Sequence, residues 1–261
     1  GAAIFMALAI VPVGLTRRMA PAPVQSTQSG FRLLFQRSHS AFFGALLSGL
    51  VVGSFWSLGA VFAGRVGQDQ MQVTWFMSAA IAGGALFQYP VGWLSDRLDR
   101  RHILIALAMG GALTSVAVAL SAGQPWHLFA VLMFGAAVMP LYAISLATAA
   151  DVSSSDEFVA IGTSVLLLHS IGAVLAPLGL GQVMTLFGAT ALFWATAVLC
   201  AFFSVLLYGF TRKPRAVSVE EQTPFNAAAA EVAPMSFELD PRGTEVDTTV
   251  QSPAGSGPEQ G

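Results

Sequence analysis

Asp96, Arg97, Arg100 and Arg101 fall within one short stretch that directly follows an uncharged run, Gln70 to Ser95. Asp96 and Asp99 among these three guanidinium groups can form ion pairs and hold two chain segments together. A different chemistry is offered by polar side chains standing alone in apolar surroundings, which are the default functional candidates of a chain buried in lipid. His169, inside Leu166-Leu167-Leu168-His169-Ser170, can take up a proton or touch a solute. Equally, it can be a neutral imidazole bonded to a neighbouring helix. Tyr142 and Ser145 follow Pro140, which frees a backbone carbonyl and leaves an aromatic face and a hydroxyl beside it. Gln88 is either packing glue between helices or a solute contact. Ser48, with Phe55, Trp56 and Ser57, completes the candidates.

No catalytic or metal-binding set accompanies them. His39, His102, His127 and His169 are far apart, and Cys200, the single cysteine, cannot build a thiolate site. No Gly-rich loop ends in Lys-Ser or Lys-Thr, so ATP is not expected as a direct energy source, and no cofactor is expected. The net charge of −2 gives nucleic acid no basic face to bind.

The elements that carry these residues are set by composition. Hydrophobic residues make up 55% of the 261 and charged residues 10%, too few charges to cover a soluble fold of this size. Mean hydropathy is +0.69. A membrane helix needs about 20 apolar residues. Segments at 40–64, 70–95, 103–122, 127–150, 158–183 and 188–210 meet that requirement and predict six spanning helices. Gly188 must divide the last two, because Phe158 to Thr211 is uncharged throughout and too long for one crossing. Residues 1–16 are apolar but short and are expected to be the end of a truncated helix. Residues 17–39 form a cytoplasmic linker, in which Phe31 to Phe35 is either a short interfacial helix or an ordinary loop. Residues 212–261 hold eight of the fourteen acids with many Pro, Gly, Ser and Thr, and are expected to be a disordered cytoplasmic tail.

Arginine and lysine set the orientation. Arg17, Arg18, Arg32, Arg37, Arg97, Arg100, Arg101, Arg212, Lys213 and Arg215 fall on one side of the alternating path, and Arg65 falls on the other. The positive-inside rule places both ends of the bundle in the cytoplasm of an integral, multi-pass protein of the cell membrane. Trp75, Trp93 and Trp126 stand at span ends, where tryptophan anchors a helix at the interface, and Trp56 fits the same role.

The stretch Gly83-Gly84 through Pro90, Gly92, Asp96, Arg97, Arg100 and Arg101 resembles the loop signature of the major facilitator superfamily. A second stretch agrees: Ser155-Asp156-Glu157 opens a helix that continues through Gly162, Gly172, Pro177 and Gly181. Together, over about residues 38–211, they resemble the C-terminal six-helix half of a permease of the YcaD-type branch.

The resemblance implies an all-α membrane protein, a six-helix transmembrane bundle of two inverted three-helix repeats at 40–122 and 127–210. It implies a secondary active transporter of a small solute, by alternating access, with lipid and solute as partners and no enzymatic step. An N-terminal six-helix half is missing, so the chain is expected to be a fragment; a half-size protein that dimerises is the other possibility. A non-transporting membrane sensor or scaffold, recruiting a partner through the acidic tail, is the alternative function. In such a family His169, Tyr142, Gln88, Ser145 and Ser48 are candidate cavity residues. Gly92, Asp96, Arg97, Arg100, Arg101 and Asp151 would form a cytoplasmic gate. Asp151 would pair with Arg97 or Arg101, and Asp96 would face the absent half; otherwise the arginines only mark the cytoplasmic side and bind lipid phosphates.

Overall fold

Eight helices account for nearly all of the residues described by the computed structural model, 30–154 and 157–211. They are α1 (Gly30–Arg37), α2 (His39–Arg65), α3 (Gln70–Ser95), α4 (Arg100–Ser121), α5 (His127–Val138), α6 (Leu141–Ala150), α7 (Phe158–Phe187) and α8 (Ala191–Thr211). The expected stretches 1–16 and 212–261, and the first part of the linker 17–39, lie outside the described residues. The rest of that linker holds α1, so Phe31 to Phe35 are helical, with Leu34 buried.

Each boundary has a local cause. Ser38 starts α2 by accepting the Ala41 N–H at 3.1 Å. Asp69 and Gln72 form a reciprocal capping box at the start of α3. Asp99 accepts the Arg101 N–H at 2.9 Å and starts α4 three residues earlier than the apolar run suggests. Gly188, with φ of 90°, makes the turn between α7 and α8 that a residue with a Cβ rarely adopts. Pro140 has no N–H to give, and the helical path divides there into α5 and α6.

Five stretches are long and apolar enough to cross a membrane: α2, α4, α5 with α6, α7, and α8 up to Phe210. The sixth expected span, α3, has 26 residues, roughly 39 Å of helix, but Gln70, Gln72, Gln88 and its glycines make it less apolar.

An internal two-fold relation runs through the packing. The closest helix pairs are α2 with α7, α3 with α5, and α4 with α8. In the first pair a Cβ on Gly49 would strike the His169 backbone, one on Gly53 would strike Ala173, and one on Gly172 would meet the Leu46 carbonyl and Leu50 N–H. In the second, a Cβ on Gly135 would strike the Ala80 backbone, one on Gly84 would strike Met139, and one on Gly83 would meet the Leu132 carbonyl and Ala136 N–H. These contacts superimpose under constant offsets. Leu46, Gly49, Leu50 and Gly53 map onto Leu132, Gly135, Ala136 and Met139, 86 residues later; Ala80, Gly83 and Gly84 map onto His169, Gly172 and Ala173, 89 later. The mapping exchanges the two pairs. Gly111 of α4 faces Cys200 of α8 under the same offset of 89, a contact the two-fold maps onto itself. The fold is therefore two inverted three-helix repeats, α2–α4 and α5–α8.

The larger core draws on α2 to α8, with Phe55, Phe76, Phe62, Phe193 and Phe134 linked in a ring of successive aromatic contacts. A smaller core, from Leu34 to Leu168, joins α1, α2, α6 and α7 at the end of the bundle that carries Arg97, Arg100 and Arg101. This is the basic end of the bundle.

Candidate functional site

The close approach of α2 and α7 places the first group of polar residues. With no side chain at Gly49, the backbone of His169 comes against α2, and the imidazole reaches the next residue back. Ser48 Oγ lies 2.9 Å from His169 Nδ1. The same oxygen donates to the Ala45 carbonyl at 2.7 Å. Tyr142 of α6 stands beside the imidazole, its ring centroid 4.8 Å away. Ser48 is fully buried, while His169 and Tyr142 are half-buried. Three helices thus meet in one serine–histidine–tyrosine group. It stands roughly 14–17 Å along α2 and α7 from the basic end, near the middle of a bilayer core of about 30 Å.

The other cavity candidates are placed elsewhere. Ser145 is fully buried, its hydroxyl donates to the Leu141 carbonyl at 2.7 Å, and it packs beneath Gly44 of α2. It is a helix-packing residue one turn from Tyr142. Gln88 is half-buried on α3, which packs against α5 and α2 and does not carry the group.

The basic end carries a second group, built on three helix termini. Arg100, the first residue of α4, is 1% exposed and is the largest fully buried side chain described. Its Nη1 donates to Asp151 Oδ1 at 2.7 Å and to the Ala147 carbonyl at 3.0 Å; its Nη2 donates to Asp96 Oδ1 at 2.9 Å. Asp96 and Asp151 are the C-cap residues of α3 and α6. Helix dipoles disfavour all three positions, since acids belong at N-termini and cations at C-termini. The cluster therefore depends on the mutual attraction of its members.

This geometry corrects the expected pairing. The guanidinium that closes on Asp151 is that of Arg100. Arg97 lies with its guanidinium 3.7 Å above the Trp93 ring, and Arg101 places its N–H on Asp99. Asp96, expected to face away from this bundle, also binds Arg100 within it. The cause is register: capping by Asp99 draws residue 100 into the helix and turns it towards α6. Gly92 is buried, and its carbonyl takes the Ser95 hydroxyl at 2.8 Å and the Asp96 N–H at 3.1 Å, which fixes the end of α3.

Two features escaped the sequence reading. Arg37, at the end of α1, binds Glu157 before α7 at 2.7 Å. That hydrogen bond, aided by contacts with Ser154, holds the Glu157 carboxyl below its ordinary range against the opposing effect of desolvation. Residues so far apart carry no local signal of pairing. Gly49 and Gly53 did carry one: with Ala45 they form a small-residue stripe at four-residue spacing.

Comparison with known proteins agrees with this architecture. The family profile described as Major Facilitator Superfamily matches residues 41–242. An uncharacterised MFS-type transporter, YcaD, of Escherichia coli O17:K52:H18 is 28% identical over 174 residues, covering 66% of this chain and 45% of the relative. An uncharacterised MFS-type transporter, YE1530, of Yersinia enterocolitica is 27% identical over 184 residues, covering 70% of this chain and 46% of the relative. The chain thus spans a little under half the length of the curated relatives it matches.

Proposed function

Because the chain belongs to the major facilitator superfamily, we propose that it is the C-terminal six-helix bundle of a secondary active transporter of a small solute. A preceding six-helix bundle supplies the other wall of the solute path, and the two halves rock about a site near the mid-plane. The serine–histidine–tyrosine group is this half's contribution to that site. The latch of Asp96, Arg100 and Asp151 closes the cytoplasmic end. The positive-inside rule supports that orientation, with Arg37, Arg97, Arg100 and Arg101 at one end of the bundle and Arg65 at the other.

The observation that carries this reading is an asymmetry laid over the two-fold. The offset of 89 maps residues 96–101 onto 185–190, and that counterpart turn contains no charged residue. The turn between α3 and α4 is thus held by a buried ion-pair network, and its counterpart between α7 and α8 by a glycine. A bundle with one electrostatic closure suits a device whose ends open in alternation.

The test is carried out on the complete gene product in a host lacking it. Solute distribution between medium and everted vesicles is compared by mass spectrometry for the parent and His169→Ala at equal membrane abundance. The reading requires a solute that the parent moves and the variant does not. Identical distributions for parent, variant and empty vesicles would sink it.

A further inference from the structure

The hydroxyl of Ser48 has one proton, and the geometry says where it goes. Its oxygen is 2.7 Å from the Ala45 carbonyl and 2.9 Å from His169 Nδ1. If the proton pointed at the imidazole, two oxygen acceptors would face each other at 2.7 Å with nothing between them. Directed to Ala45, it leaves the serine oxygen as an acceptor, and Nδ1 of His169 must carry the donating proton. In the neutral ring Nε2 then presents a lone pair. Among the described residues no hydrogen bond reaches Nε2 or the Tyr142 hydroxyl, although both side chains are half-buried. Two open polar atoms thus stand on adjoining rings, one of them fixed as an acceptor.

The surroundings narrow what can occupy the position. No charged residue lies on α2 between Ser38 and Gly64, on α6, or on α7. Asp151 is nine positions beyond Tyr142, and Glu157 twelve before His169, both at the basic end. A charged ligand would find no counter-charge on these helices. The positions related by the two-fold are Ala80, Trp56 and Phe134, so the opposite repeat has no matching polar set.

We infer that Ser48 is a positioning residue that holds His169 as the Nδ1–H tautomer. We further infer that the site takes an uncharged solute presenting an N–H or O–H donor to Nε2 with a flat apolar body against Tyr142. This rests on the solute-path reading above and names its ligand class.

Indole and N-methylindole serve as probes, because they share ring and charge and differ in the donor. The complete gene product, labelled with ¹⁵N-histidine, is placed in lipid nanodiscs. Two-bond ¹H–¹⁵N correlations report which ring nitrogen of His169 is protonated, with His169→Ala for assignment. The expected results are an Nδ1–H tautomer, a shift of the Nε2 resonance with indole, and a response to N-methylindole about tenfold weaker, the effect of one lost hydrogen bond. Ser48→Ala should release the tautomer, and Ser48→Thr, which keeps the hydroxyl, should retain it. An Nε2–H tautomer in the parent, equal responses to the two probes, or no response to either would overturn the inference. The readout is occupancy of His169 and needs no transport. A protein that binds indole this way but moves no solute would refute the transport reading and leave this one standing.

Discussion

Arg100 Nη1 and Asp151 Oδ1 lie 2.7 Å apart and join the first repeat of the bundle to the second. Their side chains are 1% and 6% exposed, so water does little to screen the pair. Asp96, on the same guanidinium, is about one-third exposed and is the weaker partner.

Arg100→Met should therefore destabilise the bundle by about 3–5 kcal/mol, the usual cost of leaving a buried carboxylate without its partner. Arg100→Lys should lose less, about 1–3 kcal/mol, because an ammonium cannot span three acceptors as the planar fork does. Thermal unfolding in detergent would rank the three proteins. A lysine variant as stable as the parent would show that the fork geometry contributes nothing.

Gly49→Ala should cost about 1–3 kcal/mol, since its Cβ would strike the His169 backbone and force α2 and α7 apart. It should also break the bond between Ser48 and His169. Gly64→Ala is the control: its Cβ meets nothing within 4 Å, and alanine favours a helix by up to about 1 kcal/mol. Unfolding midpoints moving in opposite directions are the expected result, and a neutral Gly49→Ala would contradict the close packing.

Acid should release α1. The Glu157 carboxyl is held below its ordinary value of 4.5 by Arg37. The contact therefore contributes in full above about that pH and is lost as pH falls through the lower folded value. Hydrogen-exchange protection of residues 30–37, taken relative to the intrinsic rate at each pH, should fall between about pH 5 and pH 3 in the parent, across the carboxylate range. In Glu157→Gln that protection should be low already at about pH 5 and change little. Equal exchange profiles would remove the role given to this pair.

Most spans were legible because charge and Gly mark where a chain leaves hydrocarbon, and α2, α4, α7 and α8 follow those marks, whereas Pro140 divides the 127–150 stretch into α5 and α6. The partners of the charges were not. Sequence tells which membrane face Arg97, Arg100 and Arg101 share, but not the direction each takes around its helix. That direction depends on Asp99 capping α4, a matter of a few residues. His169, Tyr142 and Ser48 stood out as polar groups in apolar runs, yet their meeting depends on the α2–α7 crossing. The glycine stripe that makes the crossing resembles the many other small residues of these helices.

The central claim, that this bundle lines a path open to alternate sides under control of the Arg100–Asp151 latch, is tested most directly by thiol access to Tyr142. Tyr142→Cys is made in a Cys200→Ser background of the complete gene product and labelled with an impermeant reagent from either membrane face. The account predicts labelling from both faces, with Asp151→Asn raising the cytoplasmic rate and lowering the external one. A shift of about 1.4 kcal/mol between two states would change their ratio about tenfold. Labelling from neither face, or from one face at a rate that Asp151→Asn leaves unchanged, would contradict it.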